Sequence, residues 1–306
     1  MEIKNSCLNP FKTKVKLQNR YRICFKFLLL TINGFIVNLY HYSILLMPII
    51  TLSSDWGLTD HYVGAVKGAI LSKLPGAVIV DISHQIKHYD IRNAAFIIRN
   101  AYQNFPKGSI HIVAIDSIES DEQPHVVVKA QGHYFIGADS GLFSLILDEE
   151  PEKIIALRVL QDTGYFTFPS RDRFAKVACH LAEGKDMDEL GESLPSLVIK
   201  LPMRSIVEKG VIKGRVMYVD SYENVYLNIS EKEFREAVGN KPFTINFRRS
   251  DFNIDKIVKA YGDVSEAEMC ALFSSTGYLE IAMNRGRASS LLGLYMDTPV
   301  NVIIGE

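Results

Sequence analysis

The segment at residues 50–64 constrains the fold more than any other part of the sequence. An apolar run typical of a buried β-strand leads to an acidic residue, Asp55, then to a turn at Gly57 and a helical pattern from Val63. In α/β proteins, strands of this kind end at ligand sites. The segment therefore predicts an α/β fold with a ligand near Asp55, although this carboxylate could instead cap the helix that begins near Asp60.

The same alternation of strand-like and helical patterns continues to about residue 190. It predicts a largely parallel sheet covered by helices on both faces. The predicted strands lie near 49–52, 78–82, 110–115, 126–128, 134–136 and 154–157, and the predicted helices near 63–73, 91–102 and 171–182.

Beyond residue 190 the pattern changes to short strand-like runs separated by turn residues, with one helical pattern at 231–238. This spacing predicts a small antiparallel β-barrel. The predicted strands lie at 210–220, 224–229, 243–247, 255–260, 272–273, 279–283 and 300–304. The expected division of the chain is an extension at 1–46, an α/β domain at 47–192, a linker at 193–202 and a barrel domain at 203–306.

Composition and motifs exclude several functional classes. The net charge of −1 gives no reason to expect a nucleic-acid partner. The four cysteines lie far apart, so we expect neither a metal site nor a disulfide framework, and a reducing cytoplasm fits best. The sequence has neither a phosphate-binding G-x-x-x-x-G-K-[ST] loop nor G-x-G-x-x-G after the first strand, which disfavours kinases, GTPases and dinucleotide oxidoreductases.

Residues 1–46 differ from the rest of the chain. They carry seven lysines and arginines against Glu2 alone, and the sequence is mostly apolar over 23–50, a pattern that a membrane anchor would show. Asparagines, a glycine and a histidine interrupt that run, and polar groups are costly inside a bilayer. We therefore expect the protein to start at Met47, with residues 1–46 as translated upstream sequence; an anchor is the alternative.

Several motifs downstream of Met47 carry a family resemblance. They are Val-Ile-Val-Asp-Ile-Ser-His at 78–84, Asp-Ile-Arg-Asn-Ala-Ala-Phe at 90–96, the strand ending in Ile-Asp at 115–116, Gly-Ala-Asp-Ser-Gly-Leu at 137–142, Val-Asp-Ser-Tyr-Glu-Asn-Val at 219–225 and Ser-Thr-Gly-Tyr-Leu-Glu-Ile-Ala-Met-Asn at 275–284. In order and sequence they resemble the S-adenosylmethionine hydroxide adenosyltransferases, relatives of the fluorinase and chlorinase enzymes. The resemblance implies the same division into an α/β domain and a barrel.

The resemblance also implies a substrate site with contributions from both domains. Asp55 would hold the ribose diol with its two acceptor oxygens. Tyr89 would pack against the ribose or the sulfonium, because an aromatic face attracts a cation. It could equally be a partly buried surface tyrosine. Asp220 and Asn224 would contact the methionine ammonium and the adenine. The full predicted substrate-binding set is Asp55, Trp56, Tyr89, Thr167, Phe168, Asp220, Tyr222, Asn224, Ser275, Tyr278, Glu280 and Arg285.

The turn at 220–224 departs from the family pattern Asp-x-Phe-Gly-Asn. Tyr222 replaces the phenylalanine that would stack on the base, and it keeps a flat ring for that contact. Glu223 replaces the glycine. Since a turn that needs positive φ resists glutamate, we expect the local backbone to differ.

Hydrolases of this family are marked by three polar groups: an aspartate, an arginine seven residues later and a histidine before Gly-Arg-Asp. The aspartate is present as Asp116, whereas the arginine position falls on Gln123 and the histidine position on Pro169. A neutral glutamine cannot replace a guanidinium. Next to Pro169, Ser170 stands where hydrolases tend to have glycine and the fluorinase has serine; it could also cap the helix that follows.

The leading interpretation is an S-adenosylmethionine hydrolase that forms adenosine and methionine, with Asp116, Ser170 and Gln123 as candidate catalytic residues and no cofactor. The first alternative is a non-catalytic protein that binds S-adenosylmethionine or adenosine. A halogenase is supported only by Ser170, and a membrane-anchored interaction protein only by residues 1–46. His84 and His125, near predicted strand ends, could handle protons, but the sequence assigns neither a role.

The resemblance further implies a cytoplasmic homotrimer in which each site lies between the α/β domain of one subunit and the barrel of its neighbour. The expected partner is the small-molecule substrate alone, with neither a nucleic acid nor a membrane. The sequence itself does not reveal the oligomeric state.

Overall fold

A computed structural model describes residues 25–32, 35–42, 48–247 and 249–305. The chain divides into two compact units, residues 1–46 and residues 47–306. In the first unit, strands β1 (Phe25–Ile32) and β2 (Phe35–Tyr42) pair in antiparallel fashion. The basic flank up to Arg22 lies outside the described residues. Within the described residues, no helix has the length and apolar character needed to cross a membrane.

Seven strands form the first sheet of the second unit. They are β3 (Ile50–Ser54), β4 (Ile79–Ser83), β5 (Ile110–Ala114), β6 (His125–Ala130), β7 (His133–Ala138), β8 (Lys153–Leu157) and β9 (Gly191–Ser193). Their order across the sheet is β4-β3-β5-β7-β6-β8-β9. The pairs among β4, β3, β5 and β7 are parallel, whereas those that involve β6, β8 and β9 are antiparallel.

The sheet is therefore mixed, which corrects the prediction of a largely parallel one. The physical reason is the hairpin between β6 and β7. Its strands are joined by the two residues Gln131 and Gly132, both at positive φ (52° and 82°), as a tight two-residue turn requires. A connection this short can only join antiparallel strands.

Helices cover both faces of this sheet, as the sequence predicts. They are α1 (Tyr62–Lys73), α2 (Ile91–Tyr102), α3 (Leu142–Ile146) and α4 (Ala175–Ala182), the last preceded by a π-helical turn at Ser170–Phe174. On β5, Ile112 and Ala114 pack in one core with α1 and α4, while Val113 packs in a second core with α2 and α3. Alternate side chains of the strand thus enter opposite layers.

The second domain is an antiparallel sheet with two short helices, α5 (Glu231–Val238) and α6 (Ala288–Leu292). Its strands are β10 (Ile206–Glu208), β11 (Val211–Val219), β12 (Val225–Ser230), β13 (Phe243–Phe247), β14 (Arg249–Ile254), β15 (Met269–Phe273), β16 (Tyr278–Met283) and β17 (Pro299–Ile304). The order is β14-β13-β17-β11-β12-β16-β15, with β10 paired to β11.

This sheet curls almost into a barrel. Its end strands β14 and β15 lie near each other, and Ile257 forms an isolated bridge with Ala271 of β15. The predicted strand at 255–260 is wrong, because the regular strand lies just before it, at Arg249–Ile254. The sequence Arg-Arg-Ser-Asp at 248–251 is polar, so it does not show the apolar run that predicts a strand. The strand at Arg249–Ile254 forms because it pairs with β13.

The two domains pack against each other through α2. The guanidinium of Arg92 donates two hydrogen bonds to the carboxylate of Asp297, at 2.9 and 3.0 Å. One turn further along, the ring of Phe96 stacks on Tyr218 with centroids 4.2 Å apart and meets the edge of Tyr226 at 5.3 Å. An ion pair and an aromatic cluster thus hold the barrel against the helix layer.

A buried chain of polar side chains crosses the first sheet at the amino ends of its strands. Thr51 Oγ1 lies 2.7 Å from His111 Nδ1, and His111 Nε2 lies 3.1 Å from His133 Nδ1. Aromatic rings of Tyr102 and Phe135 surround the two imidazoles. Burial, with a further contribution from the charge of His133, lowers the pKa of His111 to about 3.

We expect this histidine to make folding sensitive to acid. Below pH 6.5 the unfolded chain protonates His111 while the folded chain keeps it neutral, so the free energy of unfolding should fall as the pH drops from 6.5 towards 3. The loss should reach about 2 kcal/mol at pH 5. Urea unfolding at several pH values should show a weaker pH dependence in His111→Gln than in wild type. The exposed-site control His88→Gln should keep the wild-type dependence; an unchanged slope in His111→Gln would contradict this account.

Candidate active site

The strands β4, β3 and β5 are parallel neighbours, so their carboxyl ends meet at one edge of the sheet. Asp55 follows β3 at this edge and is buried, and its Oδ2 accepts a hydrogen bond from the backbone N–H of Tyr89 at 3.0 Å. Helix α1 begins at Tyr62 without a side-chain cap, so Asp55 is not its N-cap residue. Tyr89 has φ 60° and a largely exposed side chain (70%). Asp55 thus offers a fixed carboxylate in the position of a ligand acceptor.

Aromatic rings line the edge beside Asp55. Trp56 meets the edge of Phe168 at 5.5 Å and lies nearly parallel to His84 at 6.4 Å. Tyr62 at the start of α1 completes the group, with its ring 5.2 Å from Phe168. The structure therefore brings together Asp55, Trp56 and Phe168 from the predicted set, because segments distant in sequence end at the same edge.

The sequence assigned no role to His84. In the structure its imidazole contacts the ends of β3 and β4 at this edge of the sheet. Its Nδ1 forms a 2.6 Å hydrogen bond with Ser54 Oγ, and its Nε2 lies 3.1 Å from Asp81 Oδ1. Asp81 also accepts a 2.6 Å hydrogen bond from Lys67. Partial burial raises the pKa of the Asp81 carboxyl, but Lys67 and His84 outweigh it and the pKa is lowered. This network holds the end of β4 against the end of β3, directly behind Asp55.

Asp116 follows β5 and begins the loop that leads to β6. Its backbone is left-handed, with φ 46°, and its carbonyl accepts a 2.7 Å hydrogen bond from Gln123 Nε2, which also donates to Ile118 O at 2.9 Å. Gln123 therefore braces the loop with both amide hydrogens. In the described part of the chain the Asp116 carboxylate itself has no hydrogen-bond or ion-pair partner, so it is free to accept a bond from a ligand.

The segment opposite this loop carries Thr167, Phe168 and Ser170. Thr167 is exposed, whereas Phe168 and Ser170 are buried. The predicted helix at 171–182 begins one residue earlier, with a π-helical turn that starts at Ser170. No side chain caps that turn, so Ser170 is its first residue rather than its cap. Turns of this type recur at functional sites in helices.

On the barrel, Asp220 organises the turn that follows β11. Its Oδ1 accepts hydrogen bonds from the backbone N–H groups of Tyr222 and Asn224, at 2.9 and 2.8 Å. Its Oδ2 accepts a hydrogen bond from Asn224 Nδ2 at 3.1 Å. Asn224 is buried, while the Tyr222 ring is 77% exposed. The turn therefore presents a flat aromatic ring beside a fixed carboxylate.

The expectation that Glu223 changes the turn backbone is wrong. Glu223 adopts φ 65°, so the left-handed conformation is kept without glycine. Its carboxylate accepts hydrogen bonds from the backbone N–H of Ser290, at 3.0 Å, and from the Ser290 hydroxyl; its carbonyl accepts the N–H of Ser289 at 2.9 Å. Bonds to helix α6 thus offset the strain that a glutamate incurs at positive φ.

Glu280 in β16 is fully buried beside this turn. Its Oε1 accepts a 2.8 Å hydrogen bond from Tyr261 OH. Burial raises the pKa of the Glu280 carboxyl and the charge of Asp220 adds to the rise, although the bond from Tyr261 opposes it. Tyr226 OH lies 3.4 Å from Asp220 Oδ2. Two carboxyls and two phenols thus lie together in one acidic cluster beside the turn.

The other predicted barrel residues lie at the ends of β15 and β16. Ser275 is exposed in the turn between the two strands. Tyr278 begins β16 and lines a cavity of about 360 Å³ between α2 and the barrel. Arg285 is exposed, has φ 54° and forms an ion pair with Glu266. Of these three side chains, none forms a hydrogen bond, ion pair or ring contact with the acidic cluster around Glu280 within the described residues.

The predicted residues thus form two groups in one chain. One group lies in the α/β domain and the other on the barrel. The first consists of Asp55, Trp56, Tyr89, Asp116, Gln123, Thr167, Phe168 and Ser170, and the second of Asp220, Tyr222, Asn224, Ser275, Tyr278, Glu280 and Arg285. No hydrogen bond, ion pair or ring contact connects the two groups in the part of the chain that the structure describes. The first group offers a carboxylate fixed by the backbone of Tyr89 and the carboxylate of Asp116, and the second offers an acidic cluster and the exposed ring of Tyr222.

Comparison with known proteins matches one segment on each of the two sheets. A family model described as the SAM hydroxide adenosyltransferase N-terminal domain matches residues 50–191, and one described as the C-terminal domain matches residues 214–301. A protein of Methanocaldococcus jannaschii named (R)-S-adenosyl-L-methionine hydrolase is 32% identical over 266 residues, covering 82% of this chain and 95% of that protein. One of the same name from Thermus thermophilus is 30% identical over 262 residues, covering 82% and 97%.

More distant relatives and solved structures agree. A fluorinase of Actinoplanes sp. is 26% identical over 271 residues, covering 78% of this chain and 91% of that protein. The crystal structure of an uncharacterized conserved protein from Thermotoga maritima superposes with a TM-score of 0.77 at 30% identity, covering 83% of this chain and all of that one. With both domain models matched in order on the two sheets described above, the chain belongs to the S-adenosylmethionine hydroxide adenosyltransferase family.

Proposed function

We propose that this protein is an S-adenosylmethionine hydrolase that forms adenosine and methionine. The observation that carries the proposal is the unpaired carboxylate of Asp116 at the same sheet edge as the fixed carboxylate of Asp55. The hydrolase names of relatives that match most of the chain at 30–32% identity support it. Fluorinases match at lower identity, which makes halogenation the weaker reading.

The chemistry needs little beyond an aligned nucleophile. S-Adenosylmethionine is a sulfonium, so its C5′ carbon carries methionine as a neutral leaving group. The oxygen of water forms a bond to C5′ while the C5′–S bond breaks and its electron pair stays on sulfur; one proton is released. Positioning of the two reactants in a site that excludes bulk solvent can supply much of the acceleration. Asp116 would accept a hydrogen bond from the attacking water and orient it towards C5′.

The remaining roles follow from the two groups of residues. Asp55 would accept hydrogen bonds from the ribose diol, and the aromatic side chains Trp56 and Phe168 would exclude solvent from the sugar. On the barrel, the Tyr222 ring would stack on the adenine, and the acidic cluster of Asp220 and Glu280 would attract the methionine ammonium. Asp220 is the more accessible of the two carboxyls, because Glu280 is fully buried.

A non-catalytic binding protein is the second candidate, and two residues favour it. The side-chain amide of Gln123 donates both of its hydrogens to backbone carbonyls of the loop, and Pro169 has no titratable group. Neither can supply the charge or the proton transfer that an arginine and a histidine provide. The two candidates agree on the ligand and differ only in turnover.

A homotrimer with sites shared between subunits completes the proposal, with the expected domain bounds of 47–192 and 203–306. Its support is that no hydrogen bond, ion pair or ring contact joins the two groups of proposed ligand-binding residues in the described part of the chain. Each group also exposes large aromatic side chains, Tyr89 at 70% and Tyr222 at 77%, which a neighbouring subunit and a ligand would cover.

The proposed reaction is tested by incubating the full chain with S-adenosylmethionine and measuring adenosine and methionine by chromatography. Asp116→Ala should lower the rate at least about 100-fold, because the water loses its oriented acceptor. Asp121→Ala, an exposed aspartate of the same loop, is the matched control and should keep the wild-type rate. Added halide should produce no 5′-halogenated nucleoside.

If wild type forms no adenosine although calorimetry shows that it binds S-adenosylmethionine, the hydrolase is excluded and the binding protein takes its place. A product in which halide has replaced the hydroxyl would exclude both.

The shared site predicts complementation between two inactive variants. Asp116→Ala damages the α/β side and Asp220→Ala the barrel side. Mixed trimers of the two should regain activity, since one of the three interfaces in each mixed trimer unites two intact sides. Co-expression with two different affinity tags isolates the mixed species. Mixed trimers as inactive as the separate variants would place both sides of the site within one chain.

A further inference from the structure

A guanidinium connects the Asp116 loop to the turn that begins at Ser170. Arg173, the fourth residue of that turn, donates from Nη1 to Glu119 Oε1 at 2.6 Å, and Glu119 lies in the loop. The same nitrogen donates to His125 Nδ1 at 2.9 Å, and His125 is the first residue of β6, directly after the loop. The Arg173 side chain is only 11% exposed.

The contact fixes the protonation of His125. Because a guanidinium can only donate, Nδ1 of His125 is unprotonated, and Nε2–H donates to Ser117 O at 3.0 Å. Burial lowers the pKa of His125 and the charge of Arg173 adds to this, although Ser117 O and Glu119 oppose it. Phe174 packs against the imidazole at 4.8 Å. His125 is therefore a neutral connector between the loop and the turn.

Two polar atoms beside this contact are buried without a partner among the described residues. They are Arg173 Nε and Ser117 Oγ, and Ser117 directly follows Asp116. A buried polar atom without a partner costs free energy, so such atoms normally meet a solvent molecule or a ligand. The contact between the loop and the turn is therefore rich in polar atoms, and two of these atoms have no partner among the described residues.

We propose that Arg173 is a positioning residue that fixes the loop bearing Asp116 against the turn bearing Ser170. It takes the place of the arginine and histidine whose positions here hold Gln123 and Pro169. In the family pattern the arginine lies in the loop, at the position of Gln123, and the histidine lies beside the turn, at the position of Pro169. Here the arginine, Arg173, lies in the turn, and the histidine, His125, directly follows the loop. The inference rests on the proposed hydrolase function.

The consequence for the reaction is geometric. The water oriented by Asp116 must lie in line with the C5′–S bond, and a displacement of about 1 Å can reduce a rate roughly 100-fold. The amide of Gln123 bonds only to carbonyls within its own loop, so it cannot fix the loop relative to the turn. The guanidinium of Arg173 bonds from the turn to Glu119 in the loop and therefore resists a displacement between them. Protonation of His125 would place a second positive charge against Arg173 and separate the loop from the turn.

The test compares Arg173→Met with Arg158→Met in the full chain. Arg158 forms a surface ion pair with Glu192, with both side chains about two-thirds exposed, and serves as the matched control. We expect kcat to fall about 10- to 100-fold in Arg173→Met, with KM within about threefold of wild type, and no change in Arg158→Met. Arg173→Lys should recover part of the loss, because it keeps the charge without the fork.

The pH profile distinguishes positioning from a general loss of structure. In wild type, kcat should decline as the pH falls through the lowered pKa of His125. Arg173→Met removes the positive charge that a protonated imidazole would repel, so this acid limb should be lost in Arg173→Met, and His125→Gln should abolish it as well. An Arg173→Met variant with wild-type kcat, or with a retained acid limb, would overturn the proposal.

Hydrogen exchange separates this inference from the proposed function. Exchange of the amides at 116–123 should be faster in Arg173→Met than in wild type and unchanged in Arg158→Met. If wild type forms no adenosine, the hydrolase fails and the catalytic part of the inference fails with it. Unchanged exchange in Arg173→Met would instead overturn the positioning part while leaving the hydrolase standing.

Discussion

The parallel pairing of β3 with β4 and β5 is the constraint on which the candidate site depends. It brings Asp55, His84 and Asp116 to one edge, although they are about 30 residues apart along the chain. A rigid hydrogen-bonded ladder sets their spacing, and the Ser54–His84 bond and the Gln123 brace then fix the loops that leave the edge. Side chains on such a scaffold need little further ordering to meet a ligand.

Elements with strong local signals were predictable from sequence. Helix α2, with its Asp90 cap and apolar stripe, and strand β13 have the predicted bounds. The predictions failed where pairing decides the outcome: β14 is a polar strand, and the β6–β7 hairpin makes the sheet mixed. Local propensity carries no information about which strand lies alongside another.

The candidate site shows the same limit. Motif order made Asp55 and Asp220 candidates, but it could not show that Gln123 braces its own loop or that Glu223 keeps a left-handed turn by binding Ser290. Arg173 carried no signal by itself, since a second arginine in a helical turn is usually a solvated residue. Its role depends on a contact with a residue 48 positions away, which no local pattern encodes.

The hydrogen bond from Tyr89 N–H to Asp55 has a consequence for selectivity. One carboxylate oxygen is already tied to the main chain, so the lone pairs left for a sugar have fixed directions. A deoxyribose in this position would leave an acceptor buried and unpaired, and sites of this kind reject a missing hydroxyl more strongly than they reject an added one. Discrimination between ribonucleosides and deoxyribonucleosides would thus be encoded in the backbone conformation of a single residue, Tyr89.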